Sequence, residues 1–266
     1  HGPAQRSSPS PFMSLPLLVT KDMWQEFDAA WTELRSSGGP IDELLPALKL
    51  AGEKQRAGRL VPQAKEHAAA LIEAGRAPDA AMVLGTTLVA GGNPGELNAD
   101  LFETVDKAFS AEPWCAAFRE ASGFEEGTTE VRKGWRKFAK LIAFKPGSAV
   151  FHPGGWGVGR VLEMDHEAGH VRVEFWNGRK DNFPLSAAMD IFDPLPEADL
   201  RARSLEDPDA LRKEVKADPL EALRAILRRH NGRATTTTIK TAMMQIGIEG
   251  SAWSAWPLTC SMTAPG

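Results

Sequence analysis

The run His166-Glu167-Ala168-Gly169-His170 spells H-E-x-x-H. On a helix this spacing points two imidazoles at a zinc ion and keeps a carboxylate beside them as general base. Only the i, i+4 geometry of an α-helix puts both rings on one face, and the neighbours argue against a helix here. Val171, Val173 and Phe175 alternate with Arg172, Glu174 and Trp176, which is the period of a strand, and Gly169 favours a turn. The five residues therefore read as a hairpin tip, and no metal or catalytic residue is assigned to them. A zinc hydrolase, the discarded alternative, would carry stoichiometric zinc. His152 supplies a third imidazole, but no carboxylate or thiolate at ligand spacing joins it, so it reads as a histidine bonded to backbone or solvent.

The glycine cluster at 154 to 160, GGWGVGR, has the look of a phosphate loop. It lacks the Lys-Ser/Thr of a P-loop and the G-x-G-x-x-G spacing, and it leads into a strand rather than a helix. The glycines read instead as a sharp turn and a bend around Trp156. At 131 to 145, VRKGWRKFAKLIAFK carries six Lys/Arg and no acid, with Trp135, Phe138, Leu141 and Ile142 on one helical face. That pattern describes a docked helix with a solvated basic face, or one that touches phosphate or an acidic protein.

These residues need elements to hold them. From Leu17 to about Gly123 the apolar period is helical. Thr20 suits an N-cap for the helix bearing Trp24, Phe27, Trp31 and Leu34, and Gly38-Gly39 closes it. Pro40 opens the next helix, with Ile41, Leu44, Leu45 and Leu48 as its stripe. Residues 61 to 92 read as a helix pair with Pro62 and Pro78 in first turns and ends at Gly75 and Gly91-Gly92. In that pair Ala68, Leu71 and Ile72 face Ala81, Leu84 and Leu88. Leu101, Val105 and Phe109 mark a further helix. The alanine-rich pair is similar to a tetratricopeptide hairpin, but without a clean period the expectation is an irregular solenoid.

From Phe144 the period shortens to two. Strands are expected at Ser148–His152, Trp156–Met164, His170–Trp176 and Lys180–Pro184, with turns at Pro153-Gly154-Gly155, Gly169 and Asn177-Gly178. Short strands with tight turns over about 50 residues imply a small SH3-like β-barrel. The stretch from Phe144 to Asp193 holds five Lys/Arg and seven Asp/Glu, which disfavours a nucleic-acid-binding barrel. Trp156, Phe175 and Trp176 read as core or as part of a protein-docking edge, and open strand edges suit addition of a partner strand. After Asp193-Pro194 the helical period returns, with Pro208 and Pro219 in first turns and Gly232 ending DPLEALRAILRRHNG. The stretch through Thr235–Thr238 and IKTAMMQIG is either a helix-turn-helix whose threonines and Lys240 meet DNA or a small helical bundle. Its candidate recognition helix is short of Arg, Asn and Gln.

Composition limits the function. The 266 residues are 42% hydrophobic and 25% charged, as in globular proteins, and the net charge of -4 is not that of a nucleic-acid coat. No run of eighteen apolar residues exists, so no membrane role is expected. Cys115 and Cys260 lie far apart, which suits a reducing cytoplasm. The eight tryptophans and the lack of tyrosine have no physical account. The expected organisation is a disordered tail at 1–16, a helical region at 17–130, a basic helix plus barrel at 131–198, a helical segment at 199–256 and an off-pattern tail at 257–266. Met13 reads as a start, and the loss of helical period after Trp256 suggests a fragment or a frame gone astray.

One resemblance adds to this. The series Gly147, Val150, His152, Pro153, then Gly157-Val158-Gly159-Arg160-Val161 resembles the RNA-polymerase-interacting domain of CarD-type regulators and of transcription-repair coupling factor. The GGWGVGRV form, with a helical region before it and Arg-rich helices and IKTAM after it, is more similar to the long N-terminal extension of Gre-type (GreA/GreB) transcript cleavage factors. The resemblance implies binding to RNA polymerase and regulation of elongation. The acidic-tipped coiled coil that stimulates cleavage in that family has no counterpart in these residues, so no catalytic residue is carried over. The reading is thus an α+β elongation-factor fragment, not an enzyme, with no cofactor, and with at most weak or indirect DNA or RNA contact. Its candidate partner-binding residues are Phe151, Trp156, Arg160, Trp176 and Arg179, with Lys137 and Lys140 beside them. The alternative is a DNA-binding regulator using the C-terminal helices.

Overall fold

The computed structural model describes residues 13–230 and 234–248. Among them are thirteen α-helices and a five-stranded antiparallel sheet, which makes an α+β chain with a helical segment at its C-terminal side. Residues 1–12 of the expected tail at 1–16, all of that at 257–266, Gly232 as a helix end, Trp253, Trp256 and Cys260 lie outside the described residues; Leu15 and Pro16, expected in the first tail, are helical. No described helix is long and apolar enough to cross a membrane. The chain divides between Leu141 and Ile142 into two compact units.

In the first unit α1 (Leu15–Thr20) precedes α2 (Trp24–Ser37). Thr20, expected to cap the longer helix, is instead the last residue of α1. Its hydroxyl donates to the Pro16 carbonyl at 2.9 Å, and Met23 stands at the start of α2 with no capping oxygen. Gly38 closes α2 with φ of +66°, a left-handed value that glycine adopts without strain. Pro40 does not open α3 (Leu44–Glu53); a turn intervenes, and the Ile41 carbonyl accepts from the amides of Leu44 and Leu45. A 3-10 turn at Ala57–Leu60 leads into α4 (Val61–Glu73), α5 (Ala77–Val89) and α6 (Pro94–Phe109). Each of these three helices has proline in its first turn, where the missing N–H would have had no helical partner. Helix α5 packs against both α4 and α6, and Ala68, Leu71, Ala81, Leu84 and Leu88 are buried.

Two further helices, α7 (Cys115–Ser122) and α8 (Val131–Ala143), complete this part of the chain. The apolar face read on α8 is the docked one: Trp135, Phe138 and Leu141 are buried. Phe124 stacks on Phe102 at 4.5 Å and on Phe138 at 5.2 Å between ring centres. The Trp135 ring lies directly over Gly85, where a Cβ would fall 1.9 Å from a ring carbon. Gly52 of α3 also approaches the Ala90 backbone closely, with 2.5 Å from a built Cβ to the Ala90 carbonyl oxygen. Small residues thus set the helix spacing.

The second unit contains β1 (Ala149–His152), β2 (Gly157–Asp165), β3 (His170–Phe175) and β4 (Lys180–Pro184), an antiparallel meander within a residue of the expected strands. Two short elements were not legible beforehand: α9 (Leu185–Ile191) and β5 (Asp193–Leu195). Strand β5 returns to pair with β1, so the order is β4-β3-β2-β1-β5. Pro194 is tolerated there because an edge strand has one side free of ladder bonds. Strand β2 shifts register between Val161 and Glu163, an irregularity that bends it. The buried residues Val171, Val173 and Phe175 alternate with Arg172 and Glu174, as the period of two requires.

Four helices follow: α10 (Leu200–Ser204), α11 (Pro208–Ala217), α12 (Pro219–Arg229) and α13 (Thr236–Gln245). Asp199, Asp207 and Thr235 cap α10, α11 and α13 through side-chain oxygens that accept backbone amides. Leu211, Val215, Ile226, Met243 and Ile246 form their shared core.

Candidate functional site

The H-E-x-x-H run lies on a hairpin. Asp165 of β2 pairs with His170 of β3, so His166 to Gly169 form the loop between them. Asp165 Oδ1 accepts the Ala168 amide at 2.8 Å, and Gly169 has φ of +69°. His170 Nδ1 lies 2.7 Å from the Ala168 carbonyl. The two imidazoles are therefore not on a helix face. Among the described residues no group of three or more His, Cys, Asp or Glu is placed to hold a metal ion.

The glycine cluster forms the turn from β1 to β2. Gly155 and Gly157 have φ of +104° and +76°. Gly157 and Gly159 also admit close neighbours, since Cβ atoms there would meet the Trp176 ring at 3.1 Å and Val173 Cγ1 at 2.7 Å. Trp156, at the centre of this turn, is half-buried. It stacks on His152 at 5.0 Å, meets Phe175 edge-on and carries the Arg179 guanidinium 4.0 Å above its ring. Arg179 is also paired with Asp181. Trp156 and Arg179 thus form one cation–π cluster on the aromatic core of the sheet.

Three other candidates converge elsewhere. Phe151 of β1, Arg160 of β2 and Trp176, in the turn after β3, line a groove of about 630 Å³. Arg201 of α10, Arg212 of α11 and Met244 of α13 line it too. Trp176 is 69% exposed and Met244 60%. Arg160 pairs with Glu206 at 3.3 Å and Arg212 pairs with Asp209. Arg201 is only 5% exposed; its guanidinium lies 4.5 Å over Phe151 and makes two bonds to Asp199, at 3.0 and 2.9 Å. Burial opposes ionisation of Asp199, but the hydrogen bonds and charge of Arg201 outweigh it and hold the carboxyl below its ordinary value. Lys137 and Lys140 sit half-buried on α8, in the helical unit.

Sequence reasoning missed Arg201, Arg212 and Met244, which lie on short helices 25 or more residues beyond Trp176. The one local sign was Asp199 before Leu200, an N-cap pattern that fixes the start of α10 and so the place of Arg201. A second, smaller cavity of about 300 Å³ is lined by Arg229, His230, Thr235, Thr238 and Gln245. Burial, then Arg229 and Arg201, holds the His230 imidazole below its ordinary value.

Comparison with known proteins finds similarities over parts of the chain. Residues 201–260 match the model of the GRAD helix-turn-helix domain. Part of the chain is similar to transcription elongation factor GreA of Chlamydia trachomatis serovar D, 30% identical over 122 residues, 45% of this chain and 17% of that protein. GreA of Chlamydia pneumoniae is 29% identical over 156 residues, 58% of this chain and 21% of that one. The chain thus matches about a fifth of the length of these curated relatives. No solved structure matches it.

Proposed function

We propose that this chain is part of a Gre-like transcription elongation factor and that it contributes docking to RNA polymerase in the cytoplasm, with no catalytic step of its own. The similarity to two GreA proteins carries this reading. The site is consistent with it. An exposed Trp176, a half-exposed Arg160 and an apolar groove make a protein-binding surface, and Trp and Arg are the residues that most often dominate binding energy at interfaces. The sheet order, in which the last strand returns to pair with the first, suits the SH3-like barrel of polymerase-interacting domains.

The experiment is retention of the full chain on immobilised RNA polymerase. Wild type should be retained, and Trp176→Ala should reduce retention. Absence of retention by the wild-type chain would end the polymerase reading.

A second reading is favoured by the helix-turn-helix match, which covers α11, α12 and α13. In it α13 presents Lys240, Thr237 and Thr241 to DNA. It predicts duplex binding that weakens steeply with salt. Negligible binding at low salt would remove it.

A further inference from the structure

We infer that the groove between the sheet and the C-terminal helices is a binding site for an acidic peptide segment of a partner protein, seated by one large apolar side chain against Trp176. The inference goes beyond the reading above: it gives the groove a ligand chemistry, whichever protein carries the peptide.

Three observations support it. Phe151, Val158 and Phe175 give the groove an apolar floor, and its volume of about 630 Å³ exceeds what a single side chain fills. Trp176 and Met244, two of the four large hydrophobic side chains left exposed among the described residues, both stand on its lining. The charged groups on the lining itself are three arginines, Arg160, Arg201 and Arg212, and one carboxylate, Glu174, which Lys180 engages at 3.2 Å.

The three arginines differ in role. Arg201 is buried and bonded twice to Asp199, which offsets its charge, so it supports the Phe151 ring rather than contacting a ligand. Arg160 and Arg212 are more than a third exposed, and each uses one terminal nitrogen in its ion pair. A guanidinium has five N–H donors, so both retain donors for a carboxylate.

A polyanion fits less well. Each arginine is backed by a carboxylate outside the lining, and residues 142–266 hold fifteen Lys/Arg against sixteen Asp/Glu. That balance gives no broad positive face for phosphates to follow. The attraction is local, over a few ångströms, which matches a peptide with one or two carboxylates beside an apolar anchor.

The test is selection of short random peptides displayed on phage against the full chain, followed by fluorescence anisotropy with the selected peptide. Selected sequences should carry Asp or Glu flanking a large apolar residue. Trp176→Ala and Arg212→Glu should each weaken binding about tenfold, the effect of truncating an interface anchor. Trp176 is exposed and Arg212 partly so, and circular dichroism shows whether each variant remains folded; Trp176→Phe should retain most of the affinity. Selection of no peptide, selection of peptides without acidic residues, binding indifferent to both variants, or displacement by single-stranded oligothymidylate would each overturn the inference. Peptide binding without retention on polymerase would overturn the polymerase reading alone.

Discussion

His67 on α4 is 1% exposed, and its Nδ1 accepts the indole N–H of Trp31 at 2.8 Å. An acceptor nitrogen carries no proton, so the ring is neutral with its hydrogen on Nε2, which has no protein partner. Burial first, then the charges of Arg35 and Arg76, keeps its pKa below the ordinary value of 6.5. The unfolded chain therefore binds a proton at His67 more readily than the folded one. Stability should be fully present above pH 6.5 and fall as pH drops through that value, until the folded ring itself protonates. His230 titrates in the same sense, so the decisive measurement is a difference. The urea midpoint should fall between neutral and mildly acidic pH, and His67→Gln should flatten that fall; equal slopes for both proteins would refute the assignment. The hairpin offers a separate test. Replacing the exposed His170 with alanine removes at most the hydrogen bond between its ring and the Ala168 carbonyl, so stability should change by less than about 1.5 kcal/mol. Metal analysis of the wild type checks the same point, because stoichiometric zinc would contradict the hairpin reading.

At the scale of elements, the helical unit depends on close approach. Gly85→Ala would gain about 1 kcal/mol of helix propensity. It would also drive a methyl into the Trp135 ring, and overpacking of a core costs about 1–3 kcal/mol or more. Net destabilisation is expected in chemical denaturation; a stabilised variant would mean that the ring moves aside freely. Gly169→Ala tests the hairpin, since a side chain at φ of +69° costs about 1–2 kcal/mol in the left-handed region. Most of these elements were legible. The alternation of Val171, Val173 and Phe175 and the Asn177-Gly178 turn located the strands, because side-chain period and turn chemistry are local properties. What escaped notice was short or set by its neighbours. Helix α1 has six residues, and β5 has three with a proline among them; β5 is a strand because β1 offers it an edge. Thr20 misled because a capping residue is also an ordinary last-turn residue, and only the packed chain decided where α1 stopped.

For the whole molecule, the net charge of -4 matters more than any one basic run. An interface built on Trp176, apolar surface and locally paired arginines should lose affinity for its partner only gently with salt. Binding through many phosphate contacts would fall about 10³- to 10⁵-fold between 50 and 200 mM salt. Retention on RNA polymerase measured across that range separates the two, and a steep loss would favour the nucleic-acid reading.

The sequence alone determined which residues face inward on the longer elements, most of the turns, and that the H-E-x-x-H run falls on a hairpin tip rather than a helix. Those features follow from local geometry, from the 3.6 and 2.0 periods and from glycine at positive φ. It did not determine the groove. Phe151, Arg160 and Trp176 were legible as candidates along the strands and their turns, but Trp156 and Arg179 went to a separate cluster. Arg201, Arg212 and Met244 joined the first three only through tertiary packing. Local periodicity encodes which face of an element is apolar and leaves open what packs beside it, so convergence of residues far apart in the chain belongs to the folded structure.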